Sequence, residues 1–489
     1  MDAGSDKSVT LKSDAAWLVV CLAVAAALRL PSLLRHDLWF DEIWSLRLAQ
    51  AAPGVGEIVY AVPTSNNHIL MTLWLYAARA SSCVALLRLP SFVAGLAAVW
   101  AAMAVARRWG EAECRAAGAL CALWYPLLTY STEARGYALA AAAALACWAW
   151  LREPRRAWAF AVVCSVGLLS QLIFLYVYAA LVAAEFVAGR SASERLKRHA
   201  LPALVLAAVC IPQLLRLTVD GPPYRLRTVL EEAAGLLWAT PATAAGAAAA
   251  VLLSGLAAWP VARELVLNDD WAFIVPLFAL PLAAALTRPP VLFSRYFLPA
   301  AACAIPVFAS GIVRWWRGGP DPGRGGRAAA AAVLAAVFCS LQIAASSRFW
   351  KYGRGGYGEA VDFIASSGGT ARVASDHDFR NGMLVEYYAP PVPPGRIVYM
   401  PRGEAAIHGA DWFVAHRLDR DEQPPPAVLK GPHGVPFKLA RVFPHAGPSG
   451  FDWYLYRAVD RPLPPRPGSG PPRGSRGSDS GGGTLKTAR

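Results

Sequence analysis

Charged residues are scarce in this chain. Only 16% of its 489 residues are Asp, Glu, Lys or Arg, whereas 56% are apolar. An average soluble domain has about 25% charged residues. The shortage is concentrated in long uncharged stretches, which excludes one large water-soluble core and predicts a protein that crosses a membrane many times.

Sequence motifs for disulfides, zinc and nucleic acid are also missing. There is no Cys-x-x-Cys pair, and nearly all of the nine cysteines, the last of which is Cys339, lie in or beside apolar stretches. Neither a disulfide framework nor a zinc site is therefore predicted. The net charge is +14, but Lys and Arg lie mostly between the apolar stretches and in the C-terminal tail. That distribution is typical of loops that set topology and contact anionic membrane lipid, so we expect no nucleic-acid partner.

The apolar stretches predict an all-α polytopic membrane domain over residues 15–347. A polar N-terminal tail, predicted to be cytoplasmic and disordered, covers residues 1–14. About eleven transmembrane helices fit the membrane domain. Their predicted positions are Ala15–Leu34, Leu89–Ala106, Ala116–Tyr130, Tyr137–Leu151, a hairpin over Ala157–Ala184 that turns near Gln171, Ala200–Leu215, and residues 240–262, 271–287, 296–313 and 328–346. The first span could also be a cleaved signal peptide, but its long leader lacks a clear basic segment, which favours a retained anchor.

The basic residues predict the orientation of these spans. If the N-terminus is cytoplasmic, the alternating spans place the basic clusters near residues 107–115, 152–156, 190–198 and 314–327 inside, as the positive-inside rule requires. The same alternation places the polar loops that have no topological role together on the opposite face. The predicted location is the plasma (inner) membrane.

A small extracytoplasmic α/β domain is predicted over residues 350–460. A helix over Gly358–Ser366 and short β-rich stretches indicate it. The predicted strands are Arg372–Ser375, Arg396–Met400, Trp412–Ala415, Lys438–Phe443 and Trp453–Tyr456. Asp376-His377-Asp378 has the residue types of a metal cluster but is interpreted as an exposed turn. Residues 461–489 are rich in Pro, Gly, Ser and Arg and are predicted to be a disordered tail.

The first external loop, residues 35–82, contains the candidate catalytic residues. Asp41 and Glu42 are adjacent carboxylates among aromatic residues, directly after an apolar span. Ionisable groups at a membrane face are costly and mark chemistry or a substrate path. A carboxylate in a partly dry cleft can take a proton from an attacking hydroxyl, and two together can attract a divalent cation. The structural alternative is a helix start with Asp41 as its cap, and Ile69–Ala78 is predicted to be an interfacial helix.

Other polar residues on this face are candidates for substrate binding. Asn67 and His68 could bind sugar hydroxyls, a phosphate or a metal, although a lone His is more often structural. Arg135 could hold a phosphate with its planar guanidinium, or form an internal salt bridge with Glu133. Arg295 is a further outward Arg, or a snorkelling membrane anchor.

Taken in order, these motifs resemble the GT-C membrane glycosyltransferases. More narrowly, they are similar to the bacterial branch related to protein O-mannosyltransferases and lipid A aminoarabinose transferases. The resemblance lies within about residues 15–315 and is carried by Leu38–Arg47, Asn67–Leu70, Leu87–Ser91, Tyr130–Tyr137 and Ser294–Pro299. Two positions depart from the family pattern: Ile69 stands where a Pro is frequent, and Gln171 where a His is common.

The resemblance implies a polyprenyl-phosphate-linked sugar donor, an outward-facing active site and inversion at the anomeric carbon. It implies that Asp41 is the general base and Glu42 its partner. It places His68 near the donor phosphate or a metal, with Glu42 and His68 as candidate ligands of a divalent cation. The residues that would bind substrate or lipid phosphate are Asn67, His68, Glu133, Arg135, Tyr137, Arg295 and Tyr296.

The leading hypothesis is therefore a glycosyltransferase acting on an extracytoplasmic hydroxyl of a glycan, lipid or protein acceptor. A transporter or flippase of a polar lipid or glycolipid is the alternative, and a membrane scaffold is a third. A transporter would be expected to show internal repeats and charges near mid-bilayer. Here no repeat is visible, and the polar groups collect at one predicted face.

Overall fold

The computed structural model describes residues 3–62, 64–217, 225–287, 293–318, 324–389, 396–418, 423–431 and 434–459. The chain divides into two compact units. The first comprises Met1–Tyr357, Arg417–Glu422 and Phe443–Trp453, and the second comprises Gly358–His416, Gln423–Val442 and Tyr454–Arg489.

The first unit is helical. Its first eight helices are α1 (Ala3–Arg35), α2 (Phe40–Ala51), α3 (Val55–Tyr60), α4 (Ile69–Ala77), α5 (Val84–Ala106), α6 (Glu111–Leu123), α7 (Tyr125–Tyr130) and α8 (Tyr137–Trp150). They are followed by α9 (Ala157–Ser170), α10 (Phe174–Val187), α11 (Ala192–Val205), α12 (Ile211–Arg216), α13 (Leu226–Gly235), α14 (Ala244–Leu267), α15 (Trp271–Thr287), α16 (Leu298–Arg317) and α17 (Arg324–Tyr352).

Within the described residues, six segments are long and apolar enough to cross a membrane. They are Asp14–Arg35, Val84–Ala106, Ala192–Arg216, Ala244–Leu267, Ser294–Arg317 and Gly325–Ser366. The apolar helices α8, α10 and α15 are shorter. The predicted fold class, a polytopic helical membrane protein with a small C-terminal α/β domain, is confirmed, and the number of crossings stays a prediction.

The helical hairpin predicted over Ala157–Ala184 is present as α9 and α10. Gln171 separates the two helices with an extended backbone, φ −163° and ψ 129°. Only residues 171–173 separate the two helices, so the uncharged stretch holds both of them. The helix predicted after His68 is also present, as α4, and its place at the membrane interface stays a prediction.

Three helix boundaries differ from the prediction. Helix α1 begins at Ala3, so the tail predicted to be disordered is helical from that residue onward; no Pro stands before Pro31 to stop it. The stretch predicted as one span over Ala116–Tyr130 is two helices, because Trp124 is extended and Pro126 starts a new first turn. Helix α11 begins eight residues before the predicted span, where Ser191 caps it in a reciprocal pair with Glu194.

Small residues allow the helices of the first unit to pack closely. A Cβ at Gly311 on α16 would collide with the backbone of Ala257 on α14, and a Cβ at Gly95 on α5 would collide with Ser131. Helix α8 is mostly buried Ala. Helices in membranes associate through such close contacts because apolar burial alone does not hold them together in lipid.

The second unit contains a sheet. Its strands are β1 (Ala371–Ser375), β2 (Ile397–Tyr399), β3 (Trp412–Arg417), β4 (Val428–Lys430), β5 (Pro436–Phe443) and β6 (Asp452–Ala458), in the order β2-β1-β3-β6-β5-β4. β1 pairs in parallel with β2 and β3, and β4 with β5 in antiparallel. Helices α18 (Tyr357–Ser366), α19 (Met383–Tyr388) and α20 (Arg402–His408) accompany it. All five predicted strands and the predicted helix are confirmed, whereas β4, α19 and α20 were not predicted.

The acidic turn after β1 has a structural role. The Asp376 carboxylate accepts from His416 Nδ1 over 2.7 Å and from Asn381 Nδ2 over 2.7 Å, and Tyr399 donates to Asp378 over 2.8 Å. Within the described part of the chain, no group of three or more His, Cys, Asp or Glu is arranged to hold a metal ion. These bonds hold the ends of neighbouring parallel strands together. The predicted tail 461–489 lies outside the described residues.

Candidate active site

Arg88 on α5 fixes the position of Glu42 on α2. Its Nε donates to Glu42 Oε1 and its Nη2 to Glu42 Oε2, each over 2.7 Å. The remaining N–H groups donate to the carbonyls of Ser32, His36 and Asp37 over 2.8 to 3.3 Å. All five guanidinium donors are thus used, and both charged side chains are fully buried. Arg88 therefore holds the end of α1 against the start of α2.

Two further donors complete the surroundings of Glu42. The N–H of Ala134 donates to Oε1 over 2.7 Å, and the N–H of Trp39 donates to Oε2 over 3.2 Å. Burial raises the pKa of the Glu42 carboxyl, but Arg88 and the Ala134 N–H lower it by more, so that the pKa lies below its ordinary value. An ionised carboxylate with four donors has little capacity to take another proton. Its geometry favours a positioning role for Glu42.

The Asp41 carboxylate has different partners, although it is adjacent in sequence. Its Oδ2 accepts from Arg135, and Arg295 Nη1 lies 3.5 Å from the same oxygen. Its backbone carbonyl accepts from Asn66 Nδ2 over 3.0 Å. Successive helical residues point about 100° apart, so the two acids lie in separate surroundings. The Asp41 carboxylate thus lies between two arginines.

His68 orients Arg135. Its Nε2 accepts from Arg135 Nε over 3.0 Å and lies 2.7 Å from Nη2, and its Nδ1 lies 3.3 Å from the carbonyl of Ser170. Burial, reinforced by the cations of Arg135 and Arg295, holds the pKa of His68 well below its ordinary value. The imidazole is therefore neutral, with its proton on Nδ1 and its Nε2 lone pair toward Arg135.

The Glu133 carboxylate contacts side chains from several segments of the chain. Its Oε1 accepts from Trp39 Nε1 over 3.0 Å and lies 3.8 Å from Arg135 Nε, which is the predicted internal pair. Its Oε2 accepts from Ser449 Oγ over 3.0 Å and lies 3.6 Å from Arg354 Nε. Burial raises the pKa of the Glu133 carboxyl above its ordinary value, although Arg354 and Arg135 oppose this shift. Glu133 is thus the buried hub of the cluster.

Tyr137 supplies an aromatic wall beside both arginines. Its ring centroid lies 5.3 Å from the guanidinium carbon of Arg135 and 5.7 Å from that of Arg295. The His68 ring packs on its edge at 5.3 Å. Cations over an aromatic face are stabilised by the ring quadrupole, so Tyr137 helps to hold two positive charges close together.

The two other predicted binding residues lie at the margin of this cluster. Asn67 Nδ2 donates to the carbonyls of Ile58 and Val62 over 2.8 and 3.2 Å, so its amide nitrogen holds the loop. The ring of Tyr296 packs on that of Phe293 at 5.6 Å. The structure therefore brings Asp41, Glu42, His68, Glu133, Arg135, Tyr137 and Arg295 into one network.

The sequence did not assign Arg88, Trp39, Arg354 or Ser449 to the site. Arg88 belongs to a motif and is an isolated charge at the edge of a predicted span, which is a signal that could have been used. Arg354 and Ser449 have no such signal. Ser449 is 316 positions from Glu133, and no local pattern connects residues at that separation.

The network has an excess of positive charge. The pairs Glu42–Arg88 and Glu133–Arg354 balance, which leaves Asp41 with both Arg135 and Arg295 and a neutral His68. Arg295 Nε is buried and has no hydrogen-bond partner among the described residues. Such a site can bind an anion with planar, bidentate donors.

The candidate cation ligands do not fit a metal in this arrangement. Both oxygens of Glu42 already accept hydrogen bonds from Arg88, and the Nε2 lone pair of His68 accepts from Arg135. A metal ligand needs a lone pair of its own for the ion. The residues present therefore do not form a site for the divalent cation that the sequence left open.

An apolar groove of 770 Å³ begins beside the charged network. Its walls come from α4, α5, α8 and α9, and every lining residue is apolar. The first, Leu70, is two residues after His68, and Leu139 is two residues after Tyr137. The charged network and an apolar surface thus lie close to the starts of the same two helices.

Comparison with known proteins gives structural neighbours but no sequence family. No family model matches the chain, and no curated protein matches it. The crystal structure of ArnT from Cupriavidus metallidurans in the apo state is similar with a TM-score of 0.52 and 15% identity, over 83% of this chain and 93% of that one. The same protein bound to undecaprenyl phosphate gives a TM-score of 0.51 at 14% identity, over 82% and 93%.

The oligosaccharyltransferase of Archaeoglobus fulgidus in the apo form is also similar, with a TM-score of 0.50 and 10% identity over 82% of this chain and 69% of that one. At these identities the likeness concerns the fold. The chain therefore has the fold of the GT-C membrane glycosyltransferases, and the resemblance inferred from its motifs is confirmed at that level.

Proposed function

We propose that the chain is an inverting membrane glycosyltransferase that moves a sugar from a polyprenyl-phosphate carrier to an extracytoplasmic acceptor hydroxyl. One observation carries the proposal: a positively charged network with a central Asp lies at the mouth of an apolar groove. A lipid phosphate is the ligand class that has both an anionic head and an apolar tail.

The arginines would bind the donor phosphate. Arg135 is already directed by His68 and backed by Tyr137, and Arg295 has an unused buried donor. A phosphate between them would replace the Asp41 carboxylate as their partner. This exchange would place the phosphate beside Asp41 and release the carboxylate for proton transfer.

Asp41 would act as the general base. The acceptor oxygen attacks the anomeric carbon from the face opposite the phosphate, and its proton passes to Asp41 Oδ2 as the new bond forms. The bond between the anomeric carbon and the phosphate oxygen breaks, and the electron pair leaves with the polyprenyl phosphate. Arg135 and Arg295 stabilise the negative charge that grows on that oxygen. One displacement of this kind inverts the configuration.

The fold comparison supports the nature of the donor. The structure of ArnT bound to undecaprenyl phosphate shows that a protein of this fold accommodates a polyprenyl phosphate. In this chain the apolar groove would bind the tail of the lipid, and Arg135 and Arg295 would bind its phosphate head. We place the protein in the plasma membrane with this site outside, in keeping with the positive-inside rule.

The test is the glycan profile of cells that lack the gene and are complemented with variants. Asp41→Asn keeps the size of the side chain but removes its basicity, so the glycan that the wild type restores should stay absent. Glu57→Gln is a matched control, because Glu57 is an exposed acid of the same loop, and should restore the glycan fully. Equal membrane levels of all three proteins are required.

Two results would contradict the proposal. One is a normal glycan profile with Asp41→Asn. The other is movement of a lipid across vesicles by the purified protein without a new glycosidic linkage, which would favour the transporter alternative.

A further inference from the structure

A second cavity in the first unit has no role in the chemistry described so far. Its volume is 360 Å³. Its walls come from α7, the end of α13 with the loop after it, α17, and residues 445–450. Small-molecule sites have volumes of roughly 300–1,000 Å³, so the space suits a ligand of about one or two sugar rings.

This cavity adjoins the charged network at two points. Ser294 lines it, and the next residue, Arg295, has its Nη1 3.5 Å from Asp41 Oδ2. Pro448 and Gly450 also line it, and the residue between them, Ser449, donates to Glu133. A molecule in the cavity would therefore lie next to the proposed base, while the apolar groove is left to the donor lipid.

Several polar groups of the cavity lack a protein partner. The buried hydroxyl of Thr240 has no hydrogen bond within the described residues. Arg348 is exposed, and no ion pair or side-chain hydrogen bond joins it to any described residue. His445 donates from Nδ1 to Asp452 over 2.7 Å, and no hydrogen bond joins its Nε2 to a described residue. A buried hydroxyl without a partner, such as that of Thr240, is rare unless a ligand or water satisfies it.

The remaining walls fit a hydroxyl-rich ligand. The Glu232 carboxylate lines the cavity and accepts from Ser294 Oγ over 2.7 Å. Tyr125 adds an aromatic surface. Arg348 has no counter-charge among the described residues, so we expect the ligand to carry an anionic group.

We propose that this cavity binds the acceptor, and that the acceptor is a hydroxyl-rich molecule with an anionic group that pairs with Arg348. The inference rests on the proposed transferase function. The same chemistry could be presented by a soluble acidic sugar or by an anionic lipid headgroup that carries a polyol, and the test separates these two sources.

Cysteine protection measures occupancy without requiring catalysis. Ala344 is exposed and lines the cavity one turn before Arg348, so Ala344→Cys reports on it. Cys83, the exposed native cysteine, is replaced by Ser. The full chain is placed in phosphatidylcholine nanodiscs, free of sugar-based detergent, and the rate of maleimide labelling is measured with millimolar glucuronate, methyl glucoside, or phosphatidylinositol added to the bilayer.

Glucuronate or phosphatidylinositol should slow labelling, and whichever acts identifies the source, whereas neutral methyl glucoside should protect much less. With Arg348→Gln, the concentration needed for half-protection should rise roughly tenfold. Lys351→Gln, which removes an exposed charge one turn further along α17, should leave it unchanged. Labelling that no acidic probe slows, or protection that is equal for the neutral sugar and insensitive to Arg348→Gln, would overturn the proposal.

The variant Asp41→Asn separates this inference from the proposed function. It should keep the protection by the acidic probe while it loses transfer. If Asp41 is needed for transfer but no probe protects Ala344→Cys, the acceptor cavity alone is wrong. If Asp41→Asn remains active, the transferase assignment fails whatever the labelling shows.

Discussion

The two adjacent acids at the start of α2, Asp41 and Glu42, have different hydrogen-bond partners. Glu42 is buried with four hydrogen-bond donors and a lowered pKa. The Asp41 carboxylate lies between Arg135 and Arg295. Because Glu42 is fixed by Arg88, the direction of Asp41 is fixed as well. The position of the proposed base therefore depends on Arg88, whose guanidinium donates to Glu42 and to backbone carbonyls.

Removal of Arg88 should destabilise the protein strongly. Arg88→Met leaves a buried carboxylate without its counter-charge, and breaking a buried pair on one side costs about 3–5 kcal/mol. The fraction of protein that remains monodisperse after heating in detergent, compared with the wild type, measures this loss.

A double variant separates charge from shape. Arg88→Met with Glu42→Gln removes both charges, so much of the heat resistance should return, although activity should not, because α2 loses its clamp. Equal heat resistance of Arg88→Met and the wild type would show that the pair carries little of the stability.

The buried neutral His68 should make stability depend on pH. The unfolded chain protonates this residue near its ordinary pKa of about 6.5, whereas the folded protein keeps it neutral because its pKa is well below that value. Between those two values the unfolded state binds the extra proton, so stability falls as the pH falls below 6.5. The loss from this residue at pH 5.5 is about 1.4 kcal/mol.

His68→Gln removes that contribution. When the pH is lowered from 7.5 to 5.5, the melting temperature in detergent should fall less for His68→Gln than for the wild type. The same fall in both proteins would mean that His68 titrates alike in the folded and unfolded states.

At the scale of single residues, the sequence predicted which residues lie in the network better than it predicted their hydrogen-bond partners. Asp41, His68, Arg135 and Arg295 were chosen from motifs and their predicted face, and the structure brings them together. The separate environments of Asp41 and Glu42 were not predictable, because they depend on Arg88 and on the N–H of Ala134. Those partners come from distant parts of the chain and leave no periodic pattern.

At the scale of elements, the candidate site lies where several helices begin. Helices α4 and α8 begin just after His68 and Gly136, and both then line the groove. In the proposed function, Arg135, two residues before α8, would bind the lipid head, and the apolar faces of α4 and α8 would hold the tail. A carrier with a longer apolar chain should gain more from that surface.

Filling the groove should impair use of the lipid donor. Ala97 is exposed and lines it, so Ala97→Trp should raise the KM for a long polyprenyl donor more than that for a short-chain analogue, with little change in kcat. Ala248→Trp, at an exposed position of α14 that does not line the groove, is the matched control. An equal effect on long and short donors would show that the tail binds elsewhere.

The sequence predicted helices more reliably than their ends. The hairpin around Gln171 followed from an uncharged stretch too long for one crossing. The break at Trp124 follows from Pro126, and the early start of α11 follows from Ser191 and Glu194; both signals are local and were outweighed by the apolar pattern. Strand β4 has three residues, which is too short for alternation to show.

At the scale of the whole molecule, the basic residues predicted to face the cytoplasm are held by acids. Asp14 pairs with Arg107 and Arg115 over 2.8 and 3.1 Å. Asp270 lies 3.4 Å from both Arg108 and Arg152. Each acid pairs with arginines from other segments of the chain, so the basic clusters predicted to set the topology also join neighbouring helices.

The orientation of the protein can be tested with single cysteines in a Cys83→Ser background. Glu404 is an exposed residue of α20 and Arg155 an exposed residue of the loop between α8 and α9. The predicted topology places residue 404 outside and residue 155 inside. A membrane-impermeant maleimide should therefore label Glu404→Cys in intact spheroplasts and Arg155→Cys only after permeabilisation. The reverse pattern would turn the whole arrangement over and place Asp41 on the cytoplasmic side, where a transferase acting on extracytoplasmic hydroxyls could not work. Residue 155 lies three predicted spans after the Asp41 loop, so its labelling tests the alternation of spans on which the predicted side of the active site depends.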